Sequence, residues 1–277
     1  MPTTIVRKVY NHNLVSEFNL ISQSLPYFQF ASLDTVFPGT VYFPDGVPAH
    51  LRSTLSPTPA EFYKVMKKNI DSLKLIQVGL TLSDSNGNLP TFGTGSQYVW
   101  EFNFRDFDYE SDLQNSESIS LLRRQGIDFV KNKQIGIDSR QFALLFRDSG
   151  LGPRSSFGGV VWVTFHGPYD FGFLIKILTG TLHEDVDVFL TVVKRIFGPF
   201  VFDVKNMIRV FGLHGGLDKV AKSLGLGRLA GKSRQAGSDS LIAMQVYLAL
   251  RKRSSSDVNM QMAIGKLSHM VYGITQC

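Results

Sequence analysis

The sequence predicts a mixed α/β domain, and three observations carry that prediction. Short β-rich runs alternate with longer stretches whose apolar residues recur at helical spacing. With 277 residues, 43% of them hydrophobic, the chain has material for a sizeable core, in one large domain or two small ones. No internal repeat and no dividing linker is present. One domain over 1–277 is therefore expected, with its core from about 5 to 252 and a C-terminal tail from 253 to 277.

The elements follow in order. Asn13 to Leu25 carries Leu14, Phe18, Ile21 and Leu25 on one face and reads as an amphipathic helix. Phe28 to Leu33 is an apolar run that reads as a buried strand ending at Asp34, with Pro38-Gly39 stopping the chain beyond it. Thr40 to Pro59 is a loop rich in Pro, Gly and Thr, and Pro59 opens a helix over Ala60 to Leu73. Leu75 to Leu82 and Tyr98 to Phe104 alternate as paired strands, with a turn signal at Asp84 to Asn88 between them. Helices are expected at Ser116 to Gln125 and Ser139 to Arg147, then a strand at Val160 to Phe165 and a helix at Phe171 to Leu178. Val186 to Phe197 reads as helix, Phe200 to Phe202 as a short strand ending at Asp203, and Leu217 to Leu224 as helix. A basic, Gly-rich loop, Gly225 to Arg234, leads into a long helix through Arg251, and Met260 to Tyr272 is weakly amphipathic.

The totals exclude several classes. Charged residues make up 19% and aromatics 12%, so the chain is not intrinsically disordered. A net charge of +6 suits a polyanionic partner without establishing one. Cys277 is the lone cysteine, which excludes a disulfide within the chain and a Cys-based zinc site and fits a reducing compartment. The N-terminal residues lack the apolar core of a signal peptide, the C-terminal cysteine lacks a prenylation box, and no apolar stretch is long enough to span a bilayer.

Three acids stand at element ends: Asp34, Asp170 and Asp239. A carboxylate at the end of a central strand is on a rigid platform beside a cleft; the same position also suits a cap or turn aspartate. Carboxylates within reach of one another are unstable unless protonated or metal-bound. Such a group suits two divalent ions of the Mg²⁺ or Mn²⁺ type, which at a separation of about 4 Å activate a water and stabilise the leaving oxygen of a phosphodiester.

Longer motifs narrow this reading. They are Phe37-Pro38-Gly39, Asn69 to Thr81, Asn86 to Pro90, Glu101 to Arg105, Trp162 to His166, Tyr169 to Gly172, Leu213 to Leu217 and Gln235 to Leu241. Together, from about Ile5 to Tyr272, they resemble the Caf/Pop-type poly(A) deadenylases, the carbon catabolite repressor-associated factors that serve as a nuclease subunit of the CCR–NOT complex. Their style is that of a divergent plant paralogue. The resemblance implies an RNase H-like fold of the DEDD exonuclease class, a mixed central sheet flanked by helices. It implies removal of 5′-AMP from the 3′ end of poly(A), with two metals held by four acids and a histidine as general base. It also implies the poly(A) tail, the scaffold subunit and the second deadenylase subunit of the complex as partners, no membrane, and residence in nucleus and cytoplasm.

Position by position, the first, third and fourth acids match Asp34, Asp170 and Asp239, which the resemblance makes metal ligands and catalytic residues. The family's second acid falls on Val36 and its histidine on Arg234. Val36 offers no metal donor, and the guanidinium of Arg234 stays protonated and takes no proton. Three acids would hold Mg²⁺ or Mn²⁺ as one ion rather than two, with weakened activity. The alternative is a catalytically dead paralogue that binds RNA or competes for the scaffold. Arg234, with Arg228 and Lys232, forms a basic loop suited to pairing with phosphate or to plain solvation. His166 borders the expected site as a candidate RNA contact, although it and His214 also read as structural histidines. Phe37 is placed to stack on an unpaired base or to pack internally. Asp203 matches a family aspartate of the sheet that is not a metal ligand.

Overall fold

The computed structural model describes residues 2–47, 57–152 and 159–275. Six strands form one mixed sheet: β1 (Thr4–Val9), β2 (Phe30–Val36), β3 (Gln77–Ser83), β4 (Gln97–Asn103), β5 (Val161–Thr164) and β6 (Val201–Asp203). Their order is β1-β4-β3-β2-β5-β6. β3 is antiparallel to β2 and to β4, whereas β1–β4, β2–β5 and β5–β6 are parallel. The expected antiparallel pairing of the two alternating segments is therefore present as β3–β4.

Two helical layers cover the sheet. On one face pack α1 (Leu14–Ser24), α2 (Pro59–Ser72), α5 (Ser139–Asp148), α6 (Pro168–Thr179) and α7 (Val186–Phe197). Their core is ring-rich: Phe18, Trp100, Phe102, Phe142, Trp162, Phe171 and Phe197 are all buried in it. On the other face lie α8 (Val204–Val210), α9 (Leu217–Ser223), α10 (Ala236–Ser254) and α11 (Val258–Lys266), around Val163, Met207, Val246 and Leu250. α3 (Ser116–Arg124) and α4 (Phe129–Ile135) close one end over Val36, Ile76 and Phe107. The C-terminal tail packs on the body: Val271 and Ile274 are buried in the ring-rich core and Ile264 in the second.

Several boundaries differ from expectation. The strand read as ending at Asp34 runs on through Val36, because Thr35 and Val36 pair with Val78 and Gln77 of β3. Asp34 is thus inside a strand, opposite Gly79. α6 begins at Pro168 rather than Phe171, with proline at its first position, so Asp170 lies in the first helical turn. β1, α4 and α8 were not expected from the pattern. β1 is an edge strand with half-polar alternation, and the two helices have only seven residues each. The loop expected over Thr40 to Pro59 lies partly outside the described residues, as does Cys277.

Two glycines set the close contact between sheet and α10. A Cβ on Gly79 would stand 1.9 Å from the carbonyl oxygen of Ala236, and one on Gly237 would stand 2.8 Å from Val6 Cγ1. Without those atoms the first turn of α10 rests directly on β3 and β4. Polar groups then fix its register. Gln77 Oε1 accepts from the Ala236 N–H at 3.3 Å, and Glu101 Oε2 accepts from the Gly237 N–H at 3.3 Å. Ser32 Oγ donates to the Ser240 carbonyl at 2.5 Å. Glu101 is fully buried and is balanced by Lys8, which bonds its other oxygen together with Gln77.

Candidate active site

Period two along β2 places Ser32, Asp34 and Val36 on one face and Leu33 and Thr35 on the other. The contacts agree. Ser32 bonds α10, and Val36 packs with Ala236, Ile119 and Leu122, whereas Thr35 Oγ1 donates to Asp170 Oδ1 at 2.6 Å. Asp34 therefore meets Asp239 from α10, while Thr35 holds the acid that α6 supplies. All three predicted acids line one cavity of about 610 Å³, with Phe37, His166, Lys205, Asp218, Arg228 and Arg234 also on its walls. A smaller hollow of about 190 Å³ lies next to it, lined by Asp34, Val36, Ser118, Leu122 and Arg234.

Crowding of the acids shows in their proton affinities. Burial, then the charges of Asp239 and Asp170, hold the Asp34 carboxyl well above the usual range, against the opposing pull of Arg228 and Arg234. Burial pushes Asp170 up to about 7, although its hydrogen bond from Thr35 works the other way. Burial also raises Asp239, with Arg228 opposing. Three mutually repelling carboxyls at one cleft are the electrostatics of a cation site.

The donor set is oxygen, which suits Mg²⁺ or Mn²⁺. It does not fit two ions. Val36 is 6% exposed in an apolar cluster and supplies no donor. Asp239 Oδ1 already lies 2.6 Å from Arg228 Nη2, which also reaches Asp218 Oδ1 at 2.6 Å. Among the described residues, no three His, Cys, Asp or Glu side chains are gathered into a group that holds a metal ion. The arrangement therefore supports no hydrolytic step through a pair of metals.

Arg234 has a left-handed backbone, φ 66°, and its N–H donates to Asp239 Oδ2 at 3.1 Å. It lines both cavities as a cation and offers no proton acceptor there. Arg228, read with it as part of a basic loop that pairs with phosphate or is solvated, is tied inward; besides both aspartates it donates to Ser238 Oγ at 2.8 Å. Phe37 packs internally, stacked on Tyr169 at 4.9 Å, and also lines both cavities. The His166 ring lies beside Phe62 and edge-on to Tyr272 at 5.0 Å, and desolvation by this packing lowers its pKa.

Asp203 explains how the turn carrying Asp170 is held. Its carboxylate accepts four backbone N–H groups: His166 at 2.7 Å, Gly167 at 2.9 Å, Lys205 at 3.0 Å and Tyr272 at 3.1 Å. His166 adopts φ 66° at that turn, and Gly167 leaves no space for a Cβ against Thr164. Asp203→Ala orphans one buried and three partly buried backbone donors on three segments at once. It is expected to lower stability by at least about 3 kcal/mol, read by urea unfolding; a loss below about 1 kcal/mol would show that water replaces the carboxylate. Sequence reasoning missed Asp218, Tyr169, Lys205 and Lys219 as cleft residues, because each reaches the cavity through tertiary placement and none sits at a diagnostic spacing.

A mixed six-stranded sheet covered by helices on both faces is an RNase H-like arrangement, and three acids from a strand and two helices meet at one of its clefts. Comparison with known proteins makes the class specific. The family model described as CAF1 family ribonuclease matches residues 9–141. The chain is 44% identical over 250 residues to "Probable CCR4-associated factor 1 homolog 7" of Arabidopsis thaliana, covering 89% of this chain and 86% of that one. It is 36% identical over 250 residues to "Poly(A) ribonuclease pop2" of Schizosaccharomyces pombe, covering 90% of this chain and 70% of that one. The structure of S. pombe Pop2p in its Mg²⁺- and Mn²⁺-bound form superposes with a TM-score of 0.83 at 33% identity, over 97% of this chain and 99% of that one. Yeast CAF1 co-crystallised with the NOT1 MIF4G domain gives 0.77 at 31% identity, over 97% and 96%. The chain belongs to the CAF1 family of ribonucleases.

Proposed function

We propose that the chain acts on the 3′ end of poly(A) RNA as a 3′-to-5′ exoribonuclease, at a rate far below that of a family member with the full acid and histidine set. The observation that supports it is the convergence of Asp34, Asp170 and Asp239 on one cavity. In the reaction, water attacks the terminal phosphodiester, the bond from phosphorus to the 3′ oxygen breaks, and 5′-AMP leaves a chain shorter by one nucleotide with a free 3′ hydroxyl. A single Mg²⁺ or Mn²⁺ is part of the proposal: Asp34, Asp170 and Asp239 line the cavity and would have to draw together to hold it, and it would supply charge neutralisation and water polarisation. This chain's own residues would position the substrate, with Phe37 offering a stacking surface and the cleft cations pairing with phosphate. Its place would be that of the nuclease subunit in a CCR4–NOT-type assembly, in nucleus and cytoplasm, alongside the scaffold and the second deadenylase subunit.

A second reading is favoured by Val36 and by the Arg228–Asp239 ion pair: a subunit that occupies the nuclease's place without hydrolysing RNA. Incubating the purified protein with 5′-labelled oligo(A) in Mg²⁺ or Mn²⁺ separates the two. Slow stepwise shortening at enzyme excess is the expected result. Absence of shortening, while an intact relative works in parallel, sinks the hydrolytic reading. Capture by the NOT scaffold domain then tests the second reading, and failure to bind removes it.

A further inference from the structure

Arg234 combines three features that the hydrolytic reading leaves unused. It lines both cavities that meet at Asp34. It is exposed, and among the described residues it has no ion-pair partner within 4 Å. Its left-handed backbone, a conformation costing a non-glycine residue on the order of 1 kcal/mol, is held by the hydrogen bond to Asp239. The backbone is thus fixed at the cavity wall, and the guanidinium it carries is unpaired there and open to an anion.

The surrounding charges point the same way. Arg228 already neutralises Asp239 and Asp218 from within the protein. Lys205 and Lys219 stand on the same wall as further cations, and Lys205 is steadied by a hydrogen bond to the Gly215 carbonyl. Asp34 and Asp170 oppose an incoming anion. Val36 adds no further negative charge beside them. Among the described residues, Arg234 lines both cavities, whereas Lys205 and Lys219 line only the larger one.

We infer that Arg228 and Arg234 take over the charge-neutralising role of metal ions in this cleft, so that it binds the backbone phosphates of single-stranded RNA without a divalent cation, Arg234 pairing with the phosphodiester directly. The inference rests on the proposal that RNA is the ligand. It separates binding from hydrolysis: the chain holds a 3′ end in conditions where a metal-dependent site would release it.

Fluorescence anisotropy with a 5′-fluorescein oligo(A), titrated in EDTA and in Mg²⁺ at several salt concentrations, tests this. The native chain is expected to bind in EDTA, with little change on adding Mg²⁺. Arg234→Gln is expected to weaken binding by about tenfold and to reduce the slope of log affinity against log salt by about 0.7, the value for one phosphate contact on a single strand. Arg234→Lys should retain most of the affinity. Binding that appears only with Mg²⁺ or Mn²⁺, or an Arg234→Gln variant that binds as tightly as the parent, overturns the inference. A variant carrying Val36→Glu and Arg234→His distinguishes the two levels. If it binds oligo(A) in Mn²⁺ while the native chain fails in EDTA, the arginine role is wrong and the RNA reading stands. If neither protein binds in any condition, the RNA reading falls and takes the inference with it.

Discussion

Val36→Glu combined with Arg234→His is expected to raise the rate of oligo(A) shortening by about 10²–10⁴-fold over the parent. Two physical deficits are repaired together. Histidine exchanges a permanently charged side chain for one able to accept a proton near neutral pH. Glutamate places a carboxylate on the same face of β2 as Asp34, two residues along, where Val36 now borders the 190 Å³ hollow. The gains are not expected to multiply, because groups that act on one transition state behave as a unit. There is an expected cost without metal. A carboxylate there is partly buried against Ile119 and Leu122, beside acids already driven toward protonation. Thermal stability in EDTA should therefore fall, and Mn²⁺ should restore it. Stepwise shortening of 5′-labelled oligo(A) checks the rate. A double variant no faster than the parent would move the limit elsewhere, first to the Arg228–Asp239 contact, which both substitutions leave in place.

A large stability effect is expected from Gly79→Ala. Within a strand, alanine normally gains about 0.5–1 kcal/mol over glycine by reducing the freedom of the unfolded chain. Here the sign reverses. The added carbon would lie 1.9 Å from the Ala236 oxygen and 2.1 Å from its carbonyl carbon, both backbone atoms that cannot rotate away. Either β3 or the first turn of α10 must shift. The predicted loss is about 3 kcal/mol in urea unfolding, the upper part of the range for overpacking. A shift of α10 also carries Asp239 away from Asp34, so RNA binding and any hydrolysis should fall together. A loss below about 1 kcal/mol would mean that the layers yield more freely than their hydrogen bonds to Gln77 and Glu101 imply.

Legibility in the sequence followed how local each signal is. The α2 start was readable from Pro59 at its first position, and the structure adds a local cap: Thr58 caps the helix and Glu61 accepts from the Thr58 N–H at 2.8 Å. β3 and β4 were readable from alternation. The end of β2 was not, since only pairing with Gln77 and Val78 keeps Thr35 and Val36 extended. The edge strand β1 was missed for a related reason: its half-polar alternation becomes a strand through parallel pairing with β4, which lies far along the chain.

At the site, the sequence alone determined which residues are present: Asp34, Asp170 and Asp239 in their motifs, Val36 where a further acid is expected, and Arg234 where a histidine is. Residue type settles what each group can do, because a valine donates no lone pair to a metal and a guanidinium does not give up its proton near neutral pH. Tertiary structure alone decided where the charges go. Arg228 turns inward onto Asp239 and Asp218 while Arg234 stays free at the mouth, although both belong to the same basic loop. Thr35 of β2 bonds Asp170 of α6, and Asp203 gathers four backbone donors from three segments. These are contacts between residues far apart in the chain, set by the approach of α6 and α10 to the sheet. No local pattern encodes such distances, and the electrostatics of the cleft depend on them more than on the list of its charges.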